Sequence, residues 1–84
     1  MNRETAIIIL NIVQREFTVD LEVPLDISAN EFVNGLNLAY ELGIDSSDIK
    51  NCYLKMENPI ALLKGNKTLA EFGVCNGSII NITE

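Results

Sequence analysis

Few residues in this chain have types and spacings suited to chemistry. Cys52 and Cys75 are its strongest nucleophiles, and it contains no histidine. A cysteine nucleophile needs a base beside it, so only a lysine or a carboxylate could serve. Neither cysteine belongs to a Cys-x-x-Cys pair, and a secreted disulfide scaffold of this size would usually carry more of them. Both read as reduced cytosolic thiols, packed as small apolar residues. Cys75 lies beside a turn, so partial exposure and reactivity are the alternative there. Asp45 and Asp48 are the nearest pair of carboxylates for metal or acid-base work. Their Asp-Ser-Ser-Asp context fits turns and a cap better. Lys64-Gly65-Asn66-Lys67 sets two lysines around a glycine, which reads as a solvated β-turn, with a phosphate-binding turn as the alternative. No EF-hand loop, zinc spacing, P-loop or dinucleotide glycine pattern occurs. The sequence therefore assigns no catalytic residue, no metal ligand and no cofactor, and the chain is not expected to be an enzyme.

Charge narrows the partners. Twelve acidic residues stand against six basic ones, a formal charge of −6. Nucleic acid and anionic membranes call for the opposite balance. Ala6–Leu10, behind Met-Asn-Arg-Glu-Thr, could pass for the apolar part of a signal peptide. Asn11 interrupts it, Glu4 precedes it and no small-residue cleavage site follows. No segment approaches the ~18 apolar residues of a membrane span. The expectation is a cytoplasmic protein without direct membrane insertion. Its 84 residues, 48% of them hydrophobic, suit one domain over 1–84 with a short polar tail at 1–5.

The elements follow from hydrophobic period. Ala6–Val13 is rich in β-branched residues and reads as a strand buried largely on both faces. If Asn11 faces water, Ile8, Leu10 and Ile12 point inward, and Ile7, Ile9 and Val13 share the other face. Gln14-Arg15-Glu16 breaks a hairpin. Phe17–Val23 alternates, with Phe17, Val19, Leu21 and Val23 dry and Thr18, Asp20 and Glu22 wet. Ser28-Ala29-Asn30-Glu31 is a capping box that opens a helix. At about 100° per residue, Ala29, Phe32, Val33, Leu36, Ala39 and Tyr40 fall on one arc, with Leu38 off it. Gly43 is expected to end the helix as a left-handed cap, and Gly35 to mark close packing on the sheet. Cys52–Met56 and Ile60–Leu63 read as strands. Thr68–Val74 reads as one helical turn closed by Gly73, Asn76-Gly77 as a turn, and Ser78–Thr83 as the last strand, with Ile80 and Ile82 inward. The order β-β-α-β-β-turn-β makes a two-layer α+β domain with a mixed sheet of four to five strands on one main helix.

This arrangement resembles the ubiquitin superfamily almost from end to end. Leu21-Glu22-Val23-Pro24 resembles the end of the second ubiquitin strand, and Ser28–Gly43 the helix. Thr68–Val74 followed by Gly77–Ile82 is similar to the Thr-Leu and Leu-x-Leu ending of the fold. Within the superfamily, Glu71-Phe72-Gly73-Val74-Cys75-Asn76-Gly77 resembles the Asp-x-Gly-Ile-x-Asn-Gly stretch of the EsaB/YukD family. Those are small bacterial ubiquitin-like proteins encoded with type VII (ESX-like) secretion systems. The resemblance implies a ubiquitin-like β-grasp fold and a cytosolic accessory or regulatory role in secretion, with secretion-system components as protein partners. A modifier or sulfur carrier would need a flexible C-terminal Gly-Gly to thread an adenylating site. Here the sequence reads Ile82-Thr83-Glu84, so conjugation is not expected. A carrier, or a generic adaptor outside secretion, is the alternative.

Surface remains. Ile7, Ile9, Val13 and Ile79 are expected on the sheet face away from the helix, beside Tyr53 and Lys55, with Asn81 and Thr83 adding polar positions. Clustered exposed isoleucines suggest a contact face. Scattered apolar surface residues are also normal. The isoleucine-rich first strand could also pair with itself in a homodimer, although no feature requires one.

Overall fold

The computed structural model describes residues 4–44 and 53–83. Asp45, Asp48 and Cys52 lie outside the described residues. The elements are β1 (Thr5–Ile12), a 3-10 turn (Val13–Arg15), β2 (Phe17–Pro24), α1 (Ala29–Tyr40), β3 (Leu54–Glu57), β4 (Ala61–Leu63) and β5 (Ile79–Ile82). The five strands form one sheet in the order β2-β1-β5-β3-β4. β1 and β5 are parallel and every other pair is antiparallel. This is the ubiquitin-like β-grasp.

Strand alternation sorts the side chains. Ala6, Ile8, Leu10 and Ile12 of β1 are buried, with Leu54 and Met56 of β3, Leu63 of β4, and Ile80 and Ile82 of β5. α1 lays Ala29, Phe32, Val33 and Leu36 into the same cluster. The expected dry face of β2 is only partly dry. Val23 is buried, Val19 and Leu21 are half-buried, and Phe17 is exposed. β2 is an edge strand, so water reaches it from one side. β1 also takes in Thr5, which the sequence reading left in the polar tail. β4 starts at Ala61, one residue later than expected, and leaves Ile60 outside the strand.

The ends of α1 show which signals hold. Ser28 Oγ accepts from the Glu31 N–H at 3.1 Å, as the capping box requires. The neighbouring orphan donors go to the Lys64–Lys67 turn. Ala29 N–H donates to Lys67 O at 2.9 Å and Asn30 N–H to Gly65 O at 3.0 Å. Gly65 N–H returns a bond to Asn30 Oδ1 at 3.0 Å. That turn is a helix-docking piece, not a freely solvated one.

At the other end, α1 stops at Tyr40, with Glu41 in the left-handed region (φ 52°), two residues before Gly43. The Arg15 guanidinium covers this end, donating to Tyr40 O at 2.7 Å and Glu41 O at 3.0 Å. A cation on the last carbonyls suits both hydrogen bonding and the helix dipole. Phe17 packs on Tyr40 with ring centroids 5.9 Å apart. Leu42 then turns into the core, while Ala39, expected inside, is exposed. Gly35 is exposed too, and a Cβ there would meet nothing within 4 Å. The expected close packing at Gly35 is absent, whereas Leu38 is 82% exposed, as its off-arc position implies.

Candidate functional site

The pairing register brings the outward side chains of separate strands into rows. Residues directly paired across neighbouring strands lie on the same side of the sheet. One row reads Asp20–Ile9–Ile79–Glu57, from β2 across β1 and β5 to β3. The next reads Thr18–Asn11–Asn81–Lys55–Leu62 and reaches β4. Both lie on the face opposite α1. Ile7 extends the isoleucine row along β1 and pairs with Glu22.

The first row is apolar at its centre and acidic at both ends. Ile9 and Ile79 are half-buried, and Ile7 is 51% exposed. Asp20 and Glu57 make no ion pair among the described residues. Glu22 Oε2 accepts from Thr5 Oγ1 at 2.9 Å. The second row is a polar ladder. Thr18 Oγ1 donates to Asn11 Oδ1 at 3.3 Å, and Asn11 Nδ2 donates to Asn81 Oδ1 at 3.1 Å. Beyond it lies an open depression lined by Lys55, Glu57, Ile60, Leu62 and Asn81, among others. Ile60 and Leu62 bring further exposed apolar surface to it.

Of the residues the sequence singled out, Ile7, Ile9, Ile79, Asn81 and Lys55 come together on this face. Val13 does not. It falls past the end of β1, in the 3-10 turn, where strand alternation no longer sets its direction. Tyr53 precedes β3 and lines a second depression that also reaches Lys55, Asn81 and Thr83, so it adjoins the face at its edge. Asn11, Asp20, Glu57 and Leu62 were missed as members of the face. The wet side of β2 was visible in the alternation, but its position beside the isoleucines depends on register.

The Asn76-Gly77 stretch is a clamp on β1. Ile7 N–H donates to Asn76 Oδ1 at 2.8 Å. Gly77 N–H donates to Ile7 O at 2.9 Å, and Ile9 N–H to Ser78 O at 2.8 Å. Gly77 has φ +89°, a conformation costly for other residues. Gly73, at φ +82°, sits where a Cβ would come within 3.3 Å of Pro59. Ser78 is fully buried. Its hydroxyl donates to Asn58 O at 2.7 Å and accepts from Cys75 N–H at 3.0 Å. Cys75 itself is exposed, which corrects the expectation of a buried thiol. Residue 75 stands at the mouth of the turn, and the inward place is taken by Ser78. The polar atoms recorded near its Sγ are Asn58 O and Ser78 Oγ, at 3.8 Å and 3.6 Å. Neither is a base able to take its proton. No group of three or more metal-ligating side chains occurs among the described residues. No helix among them is long and apolar enough to cross a membrane.

The fold is shared with solved ubiquitin-like domains. The C-terminal ubiquitin-like domain of mouse tubulin-specific chaperone e superposes with TM-score 0.73 at 11% identity, covering 99% of this chain and 89% of that one. The corresponding domain of Plasmodium falciparum Dsk2 gives TM-score 0.64 at 12% identity, with 95% and 97% covered. A designed protein based on ubiquitin gives 0.59 at 17% identity, with 92% and 84% covered. No curated protein sequence matches the chain significantly. The family described as "WXG100 protein secretion system (Wss), protein YukD" matches residues 7–82, which takes in all of α1, β2 to β5 and the Asn76-Gly77 clamp. The chain therefore belongs to the YukD family of ubiquitin-like proteins associated with WXG100 secretion.

Proposed function

We propose that this protein is a non-catalytic accessory or regulatory component of a type VII (ESX-like) secretion system, working in the cytoplasm by contact with other proteins of that system. The observation that carries the reading is the family match over residues 7–82. The outer sheet face supports it, since Ile7, Ile9 and Ile79 lie together there beside Asn81 and Lys55.

The test is export of a WXG100-type substrate from a host lacking the gene. It is complemented with the native protein, with a form carrying a blocking C-terminal tag, and with Ile9→Asp/Ile79→Asp. Deletion is expected to lower export, and the native and tagged forms to restore it. The double variant is expected to fold and to fail. Export that needs an untagged C-terminus would revive the carrier alternative. Export unchanged by deletion would overturn the secretion role and leave the family match as a statement about the fold.

A further inference from the structure

We propose that the outer sheet face docks a cationic amphipathic helix of a partner protein. Its apolar stripe would lie on Ile7, Ile9 and Ile79, and its flanking lysines or arginines would reach Asp20 and Glu57. This rests on the interaction-face reading above and adds the chemistry of the partner.

The dimensions carry the inference. Asp20 and Glu57 stand at the two ends of one row, three strand spacings apart. At ~4.8 Å per spacing that is about 14 Å. An α-helix with its side chains is about 10–12 Å across. Laid along β1 and β5, it covers the isoleucines, and cations on both flanks of its stripe reach the two carboxylates. Along β1, Ile7 and Ile9 are about 7 Å apart, close to one helical turn of about 5.4 Å. An extended strand that turned its alternate side chains toward the two acidic flanks would have none left to lay on the isoleucines. The polar Thr18–Asn11–Asn81 ladder bounds the apolar track at its far end.

Charge decides among the other occupants. This face holds Asp20, Glu22 and Glu57 against Lys55. A second copy laid on it would set three carboxylates against three, on chains of net charge −6. Like charges directly opposed are destabilising. An anionic membrane meets the same field. A helix carrying lysine or arginine on each side of its stripe finds two carboxylates that have no ion pair among the described residues.

The test uses the whole protein and a synthetic Leu/Lys amphipathic peptide of about 18 residues, with a Leu/Glu peptide of the same spacing as control. Fluorescence anisotropy and amide NMR shifts report affinity and place. The Leu/Lys peptide is expected to bind, with shifts at Ile9, Ile79, Asp20 and Glu57. Asp20→Asn/Glu57→Gln is expected to weaken it about tenfold. Glu31→Gln/Glu41→Gln removes two charges from the helical layer and is expected to change affinity less than about twofold. Equal losses from both double variants, equal binding of the Leu/Glu peptide, shifts centred on α1, or binding to anionic vesicles instead would each overturn the proposal. No peptide binding, with export still lost in Ile9→Asp/Ile79→Asp, would remove the cationic helix and keep the face. Intact export in that double variant would remove the face itself.

Discussion

The two faces of the sheet are built from the same strands and differ in what covers them. On the inner face, Ile8, Leu10, Ile80, Met56 and Leu63 pack under α1 with almost no water contact. On the outer face, residues one step along the same strands are Ile9, Ile79, Lys55 and Leu62, and nothing among the described residues covers them. The inner face shows what isoleucines do when the fold completes their environment. The outer face shows similar chemistry left half-solvated and rimmed with carboxylates. A single residue step along each strand thus separates the packed surface from the proposed contact face.

Substitutions can break or sharpen that contrast. Leu10→Ala, under α1, is expected to lower unfolding free energy by about 3 kcal/mol, read as a lower denaturant midpoint with an unchanged slope. Ser78→Ala removes the acceptor for Cys75 N–H and the donor to Asn58 O. Buried polar groups left unpaired cost about 1–3 kcal/mol, so a loss near 2 kcal/mol is expected in the same measurement. Gly35→Ala lies on the solvent side of α1 with room for its methyl. It is expected to raise stability by about 1 kcal/mol, seen as a higher thermal midpoint. Ile7→Thr on the outer face is expected to change stability by about 0.5 kcal/mol or less. A loss comparable to that of Leu10→Ala would mean the outer face is structural after all.

Local patterns gave most of the fold away. Period-two alternation placed Ile8, Leu10 and Ile12 inward and Ile80 and Ile82 with them. The capping box located the start of α1 because its partners are three residues apart. The helix end was misread because Gly43 looks like the cap, whereas Arg15 and the inward turn of Leu42 end the helix at Glu41. That contact spans 25 residues, beyond any local signal. Gly35 was misread through its size, although the arc of Phe32, Val33 and Leu36 already pointed away from it. The isoleucines of the outer sheet face were legible strand by strand. Their acidic flanks were not, since setting Asp20 and Glu57 beside them needs the registers of β2 with β1, β1 with β5 and β5 with β3.

The central pairing of β1 with β5 also has a mechanical meaning. The strands run parallel, side by side, at the middle of the sheet. Pulling back on the start of β1 and forward on the end of β5 draws them past one another. The slanted bonds of a parallel pair, with the Ile7–Gly77 and Ile9–Ser78 bonds beside them, then bear the load together and do not open one by one. The domain is thus a catch against force along that axis, and it yields far more easily to a pull that peels β2 or β4 from an edge.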